Sequence, residues 1–321
     1  MIKTGSKTLT DLLVGSTGFV GGNLMRSHEF EANCHSTNVN NYYDTCPELC
    51  VYAGVPAAMF LANKNPEADL AVMRDARENI RRIKPERLVL ISTIAVYLDS
   101  SGKDENATMQ TDGLSAYGAN RLQLENWIRE DFPDALIIRL PALYGVGLKK
   151  NFLYDLHTIT PAMLTPKKFE ELSLESNLVK ASYELKSDGF YHVSSFIAEP
   201  QVKEIRDFFK KNSFNALSFT DSRSRYQFYN LSRLWNDINK GLENKLALLN
   251  LCTPPVSAQK VYECVTGDSN WSNEISDKTP FDYDLRSSFA EKISDVSFNG
   301  YLYSEEYELN DIVSFMKAWV D

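Results

Sequence analysis

Apolar residues recur along the chain in two periods. Runs at Leu9 to Val14, Leu49 to Gly54 and Leu88 to Thr93 have the length and density of strands, and the last reads as fully buried. Helical spacing appears between and after them. One helix follows the first run to about Phe30, another starts at Ser115, and Leu231, Leu234, Trp235, Ile238, Leu242, Leu246 and Leu249 make a stripe down one helix face. Leu249 to Leu251 reads as a late strand, and Asp311 to Trp319 as a closing amphipathic helix. Only about a dozen residues separate Thr37 from the strand at Leu49, too few for a helix plus a further strand, so a crossover is expected to be missing there. Past Gly147 the pattern changes to a helical, aromatic-rich stretch from Lys149 through Phe209, broken at Pro161, Pro166 and Pro200. The chain therefore reads as a domain over 1–147 and a lobe over 148–321, with late strands and helices returning to the first domain.

The first strand runs into Gly15-Ser16-Thr17-Gly18-Phe19-Val20-Gly21 and resumes as a helix. Glycines at 15, 18 and 21 permit a tight turn, close approach of the backbone to a phosphate, and close packing of helix on strand. The new helix offers unpaired N–H groups and the positive end of its dipole. This suits the pyrophosphate of a dinucleotide, although a glycine triplet also serves as an ordinary strand-to-helix turn.

A second candidate site follows the buried strand, which ends in the hydroxyls of Ser92 and Thr93. In Ser115-Ala116-Tyr117-Gly118-Ala119-Asn120-Arg121, residues 117 and 121 share a helix face at i, i+4. A cation beside a phenol favours phenolate and lets the tyrosine carry a proton near neutrality, while a hydroxyl polarises the same substrate oxygen. The structural alternatives are an Arg121–Glu125 pair one turn on, a partly buried helix-start tyrosine, and a strand-end hydroxyl that caps the chain.

Taken in order, GSTGFVG, ISTIAVY, YGANR and Arg139-Leu140-Pro141-Ala142-Leu143-Tyr144-Gly145 resemble the extended short-chain dehydrogenase/reductase family, in its nucleotide-sugar branch of epimerases, dehydratases and reductases. The resemblance is clear over 9–147. Beyond that, Arg225-Tyr226-Gln227-Phe228-Tyr229-Asn230-Leu231 is similar to that family's Arg-x-Phe-x-Tyr-Val segment. The resemblance implies an α/β fold, a Rossmann-like doubly wound parallel sheet with a smaller, mainly helical substrate lobe. It also implies NAD or NADP, contacted by Gly15, Thr17, Gly18, Phe19, Val20, Gly21, Ala53, Gly54 and Leu140, and a nucleotide-linked sugar held by Tyr144, Asn151 and Arg225, the last on a diphosphate. Thr93 would bind the substrate oxygen, Tyr117 would be the acid/base, and lysine would stand four residues on. Here that residue is Arg121, which keeps the charge but is longer and planar. A homodimer through two helices of the Rossmann lobe is usual in similar proteins.

Further departures refine the expectation. Dehydratases of the family follow the hydroxyl with an Asp-Glu pair, whereas this chain has Ile94-Ala95, neither of which exchanges protons. Epimerisation or reduction of a 4-keto sugar is therefore expected rather than dehydration. The second strand should end in an acidic residue if NAD were preferred, but the chain has His35-Ser36-Thr37, which could hydrogen-bond a 2′-phosphate and leans the choice to NADP. The same residues that suggest an enzyme leave open a dinucleotide-binding protein that no longer catalyses and uses the cofactor as a structural or regulatory ligand, a reading motivated by Arg121 and the shortened loop.

Composition narrows the partners. A net charge of −9 over 321 residues and a pI near 5.1 argue against nucleic acid or an anionic membrane as the main partner. The chain has no eighteen-residue apolar run and no signal-peptide pattern, so a soluble, cytoplasmic protein is expected. The five cysteines are odd in number, and Cys46-x-x-x-Cys50 with His35 makes an incomplete tetrahedral set, so free thiols and no metal are expected.

Overall fold

The computed structural model describes residues 9–194 and 198–319. The chain divides into two compact units. The first comprises Met1–Leu148, Tyr226–Val256 and Asp282–Asp311, the second Lys149–Arg225, Ser257–Phe281 and Ile312–Asp321.

The first unit is built on a six-stranded parallel sheet. Its strands are β1 (Asp11–Val14), β2 (Ala32–Cys34), β3 (Leu49–Tyr52), β4 (Arg87–Thr93), β5 (Leu136–Leu140) and the late strand Leu248–Asn250. They lie in the order Leu248–Asn250, β5, β4, β3, β1, β2. Strands such as LCVY and LIIRL can be buried along their whole length because both faces are covered. One face packs on Leu24, Leu234 and Ile238, the other on Met73, Ile80, Leu124 and Ile128. The helices that do this are α1 (Phe19–Ser27), α3 (Pro66–Ile83), α4 (Ala116–Asp131) and the helix Leu234–Glu243, while α2 (Met59–Lys64) leads into α3. Local chemistry sets where they begin: Asn65 caps α3 by accepting from Ala68 N–H at 3.3 Å, Pro66 fills its first turn, and Ser115 caps α4 by accepting from Gly118 N–H at 3.3 Å.

Between β2 and β3 the connection is one 3₁₀ turn, Val39–Tyr42, so the crossover the sequence lacked is absent. The chain leaves β1 outward to β2 and returns on the other side of β1 to β3. That reversal makes a crevice at the carboxyl ends of β1 and β3, where open α/β sheets hold their ligands. In register, Val14 pairs with both Cys34 and Tyr52, and Thr93 pairs with Leu140, which aligns the strand ends along one edge.

Some element bounds differ from expectation. Helix α1 stops at Ser27 because the Asp11 carboxylate takes His28 Nε2 at 2.6 Å and Glu31 N–H at 2.7 Å, which turns the chain and sends Phe30 into the core. The apolar stripe from Leu231 is cut at Glu243. Lys245 adopts φ +52°, and Leu249 belongs to the strand beyond it.

The second unit contains the helices Phe152–Thr158, Pro166–Glu175, Asn177–Ser182, Glu199–Lys211 and Ala258–Thr266. The stretch expected to be helical also holds a three-stranded antiparallel sheet of Met163–Leu164, Tyr191–Val193 and Tyr183–Leu185. Tyr-Glu-Leu and Tyr-His-Val alternate apolar and polar residues, and Gly189 at φ +88° closes the turn between them. Leu164, Leu172, Val179, Tyr183, Ile205 and Phe209 form this unit's core.

Candidate active site

The glycine loop sits at the carboxyl end of β1. Gly15 has φ +96°, and a Cβ there would lie 2.6 Å from the carbonyl of Ala53. A Cβ on Gly21 would strike the Gly15 carbonyl oxygen, so α1 can approach the strand only without side chains at both positions. Gly15 and Ser16 N–H both donate to the Cys34 carbonyl, at 2.7 and 3.1 Å, which ties the loop to the end of β2. Gly18 is the N-cap of α1 and gives it no side-chain cap, and Thr17 and Gly18 are exposed with Phe19 and Val20 half-buried behind them. A helix N-terminus without a cap, reached across a close-packed glycine turn, fits the pyrophosphate of a dinucleotide. Ala53 and Gly54 border the same turn from β3, while Leu140 is buried in the core at the end of β5.

In the polar segment after β2, the Thr37 hydroxyl and His35 Nδ1 are bonded at 3.0 Å, and His35 N–H donates to Asn38 Oδ1 at 2.9 Å. Ser36 and Thr37 are exposed. Among the described residues no group of three His, Cys, Asp or Glu could hold a metal ion. All five cysteines are free, Cys50 is buried and Cys46 exposed, and burial raises the Cys34 thiol to about 11.

Thr93 and Tyr117 come together. Thr93 ends β4, where its hydroxyl accepts from Ala95 N–H at 3.1 Å and also lies close enough to the Tyr117 phenol to favour the ionised form. Helix α4 can bring Tyr117 there because Gly118 lies against the Ala95 carbonyl, and Asn63 of α2 accepts from Tyr117 N–H at 3.0 Å. Burial nevertheless outweighs both Arg121 and Thr93, and the phenol is pushed above its ordinary value. The net direction is opposite to the one expected from a cation one turn away.

Burial is the cause of that reversal, and the placement of Arg121 corrects both readings made for it. Arg121 does not pair with Glu125. Nor does its guanidinium, only 4% exposed, stand open toward a ribose. Nη1 donates to the Asp69 carboxylate and, at 3.3 Å, to the Tyr117 carbonyl, and Nη2 donates to the Pro56 carbonyl at 2.7 Å. The guanidinium centre lies over the Tyr117 ring, 3.8 Å from its centroid. Glu125, fully buried, instead takes Arg139 through Nε at 3.0 Å and Nη2 at 2.6 Å, together with Ser92 Oγ at 2.6 Å and Arg129 at 3.0 Å. Asp69 and the Glu125–Arg139 pair were not visible in the sequence. Asp69 lies 52 residues from Arg121, and as one of two acids in the first turn of α3 it reads as an ordinary helix-start charge.

The residues expected to hold substrate are placed differently. Tyr144, on strand β6 (Ala142–Tyr144), is fully buried and donates to Asp311 Oδ2 at 2.7 Å, and burial with Glu308 and Asp311 nearby drives its pKa up. It is a core residue of the first unit, because β6 pairs in parallel with Phe228–Asn230 beneath it. Asn151, at φ 98°, is the N-cap of Phe152–Thr158, and its Oδ1 accepts from Leu153 and Tyr154 N–H at 3.0 and 3.3 Å. That amide oxygen serves the helix. Arg225 lies in the second unit, exposed, its N–H bonded to the Phe281 carbonyl at 2.7 Å.

A cavity of about 250 Å³ opens in the first unit beside Tyr97, with Leu98, Asp99, Lys103, Met109 and Gln110 in its lining. A larger hollow of about 340 Å³ lies at the opposite edge of the sheet, among Asp11, Glu48, Arg87 and Trp235, away from the glycine loop and Tyr117.

Residues 11–160 match the RmlD substrate binding domain family. The fold is a Rossmann-like α/β fold, a parallel sheet with flanking helices, shared with solved structures of nucleotide-sugar enzymes. A hypothetical dTDP-4-dehydrorhamnose reductase from Sulfolobus tokodaii superposes with a TM-score of 0.57 at 16% identity, covering 91% of this chain and 96% of its own. A UDP-N-acetylglucosamine 4-epimerase from Bacillus cereus gives 0.59 at 14% identity, covering 98% of each chain. An NAD-dependent NDP-hexosamine 5,6-dehydratase involved in tunicamycin biosynthesis gives 0.60 at 14% identity, covering 97% of this chain and 99% of its own. No curated protein matches the sequence. Likeness of fold thus spans a reductase, an epimerase and a dehydratase alike. No helix among the described residues is long and apolar enough to cross a membrane.

Proposed function

We propose that this protein is an oxidoreductase of nucleotide-linked sugars, transferring hydride at a carbinol or ketone carbon with Tyr117 as the proton carrier. The observation that carries the reading is the meeting of Thr93 and Tyr117 at the carboxyl edge of the same sheet whose β1–β3 crevice holds the glycine loop. A nicotinamide dinucleotide bound along Gly15 to Gly21 supplies or accepts the hydride. The protein's part is to polarise the sugar oxygen through the Thr93 hydroxyl and to move the proton at the Tyr117 oxygen. His35, Ser36 and Thr37 favour NADP, since they present hydroxyl and imidazole groups where an acidic residue would select NAD. A dehydratase route lacks its acid and base at Ile94 and Ala95, the positions where similar enzymes carry them. Arg225 is the candidate for a diphosphate oxygen by bidentate contact.

One observation favours the second reading, a dinucleotide-binding protein without turnover. The cation that similar enzymes turn to the nicotinamide ribose is here engaged by Asp69 and Pro56. The two readings separate in one experiment. NADPH and NADH are titrated into the protein, and their oxidation is followed with a nucleoside-diphosphate 4-keto-6-deoxyhexose as probe. The enzyme reading expects cofactor oxidation that Tyr117→Phe lowers by a hundredfold or more with cofactor affinity within a fewfold, since the hydroxyl acts in the transition state. Tight cofactor binding with neither oxidation of NADPH or NADH by this probe nor reduction of the oxidised cofactors by the corresponding alcohol would instead establish the binding protein.

A further inference from the structure

Among the charged groups around Tyr117, one has no part in the reading above. Asp69, in the first turn of α3, receives the Arg121 guanidinium and also accepts from Asn120 Nδ2 at 2.8 Å, while Asn120 donates to the Pro66 carbonyl at 3.0 Å. Three donors from consecutive residues of α4 are thereby tied to the start of α3 and the segment before α2, through Asp69, Pro66 and Pro56. The guanidinium is left with Nε buried and unpartnered among the described residues and with its centre 3.8 Å from the Tyr117 ring centroid. A cation this close favours a charge on the phenol oxygen, and the carboxylate paired with it cancels part of that field.

We propose that Asp69 is a positioning residue: by taking the Arg121 guanidinium it holds that group beside the Tyr117 ring and offsets its charge, so that Tyr117, already buried, enters the reaction protonated, as a proton donor. The inference rests on the reading of Tyr117 as the proton carrier and gives that reading a direction. A phenol that starts protonated gives its proton to the carbonyl oxygen of a keto sugar as hydride from a dihydronicotinamide forms the new C–H bond. The carbonyl is reduced to the alcohol, the dihydronicotinamide is oxidised, and the tyrosinate recovers its proton from water. Starting from an alcohol, as an epimerase must, requires the phenolate at the outset.

The groups that face the phenol from each packed element are few. Its own helix brings Arg121, α3 brings Asp69, and β4 brings the Thr93 hydroxyl. Helix α2 brings Asn63 to the Tyr117 backbone, while Lys64 of that helix lies over Phe60 at 6.0 Å. The 3₁₀ turn Ile94–Val96 brings nothing titratable. Burial and Asp69 raise the phenol, and Arg121 and Thr93 lower it.

The test is a titration of Tyr117 without substrate or cofactor, by the resonance of tyrosine isotopically labelled at Cζ, assigned by its loss in Tyr117→Phe. Asp69→Asn is expected to move the Tyr117 midpoint down by about one pH unit, because the unopposed guanidinium now acts on the phenol. Arg121→Gln should move it up. The double variant should return close to the parent, since the two charges oppose one another, and Asp69→Glu, which keeps the charge, should shift it little. A merely structural role for Asp69 predicts lower stability in every variant and no opposed shifts. If Asp69→Asn does not fold, the double variant and Asp69→Glu still decide. A folded Asp69→Asn whose midpoint stays or rises, or a double variant far from the parent, overturns the proposal. Failure of the function reading shows elsewhere, as unchanged turnover in Tyr117→Phe.

Discussion

Two buried arginines of the first unit show how position decides what a guanidinium does. Arg139 is 1% exposed and meets Glu125 edge-on with two parallel bonds, the geometry in which a fork and a carboxylate match best. Arg121 divides its donors among a carboxylate and two backbone carbonyls and lies over a tyrosine ring. An ammonium can reproduce the charge of Arg121 but not this spread, since three donors on one nitrogen cannot reach Asp69 and the Pro56 carbonyl while covering a ring. Lysine, which stands at this position in similar enzymes, would not reproduce that arrangement. Arg121→Lys is expected to destabilise the protein by about 0.5–1.5 kcal/mol, the net contribution of the hydrogen bond lost to the Pro56 carbonyl. Urea unfolding with an unchanged slope measures it. A variant as stable as the parent would mean that the Pro56 carbonyl is satisfied without the guanidinium.

At the scale of elements, the site depends on how closely α4 lies on the end of β4. Gly118 permits that closeness, because a Cβ there would strike the Ala95 carbonyl. Gly118→Ala is expected to push the start of α4 outward and part Tyr117 from Thr93. Turnover should fall at least tenfold while cofactor affinity, set by the loop on β1 and α1, changes less than threefold. Loss of both in equal measure would show that the two ends of the crevice are not independent. Much of this layout was legible in the sequence. Apolar runs and glycine spacing located β1, β3, β4, the loop and the start of α4, because each is a local pattern of burial or backbone conformation. What escaped has a common physical cause. The Asp69–Arg121 and Glu125–Arg139 pairs join residues that only the packed fold brings together, and Asn151 caps a helix with a side chain that the resemblance would turn toward substrate. The antiparallel sheet of the second unit was missed although its signal is local, since the Asp188-Gly189 turn lies between two alternating triplets inside a stretch read for helical breaks.

For the whole molecule, the balance of buried acids sets the pH at which it is most stable. In the second unit burial raises Asp155 to about 7. In the first, Glu308 is 1% exposed, neither carboxylate oxygen has a partner among the described residues, and burial beside Asp311 pushes its pKa well above the ordinary range. Both groups hold a proton more firmly folded than unfolded. Their stabilising effect is therefore full below the ordinary carboxylate pKa and declines as pH rises, for Asp155 between about 4 and about 7, for Glu308 on through neutrality. Asp221 runs the other way. Its bonds from Arg223 hold it below the ordinary range, so its effect is lost only as pH falls into the acid region. The sum predicts a melting temperature that drops by several degrees from about pH 5 to about pH 8, reflecting a few kcal/mol from groups of this kind. Asp155→Asn and Glu308→Gln should each flatten that slope, Asp155→Asn chiefly below neutrality and Glu308→Gln also above it, because an amide cannot be asked to ionise in an apolar surrounding. Calorimetric scans of the parent and both variants across this range check it. A Glu308→Gln protein with the parent's slope would mean that Glu308 is already charged in the folded state and that Arg233, the nearby cation, balances it.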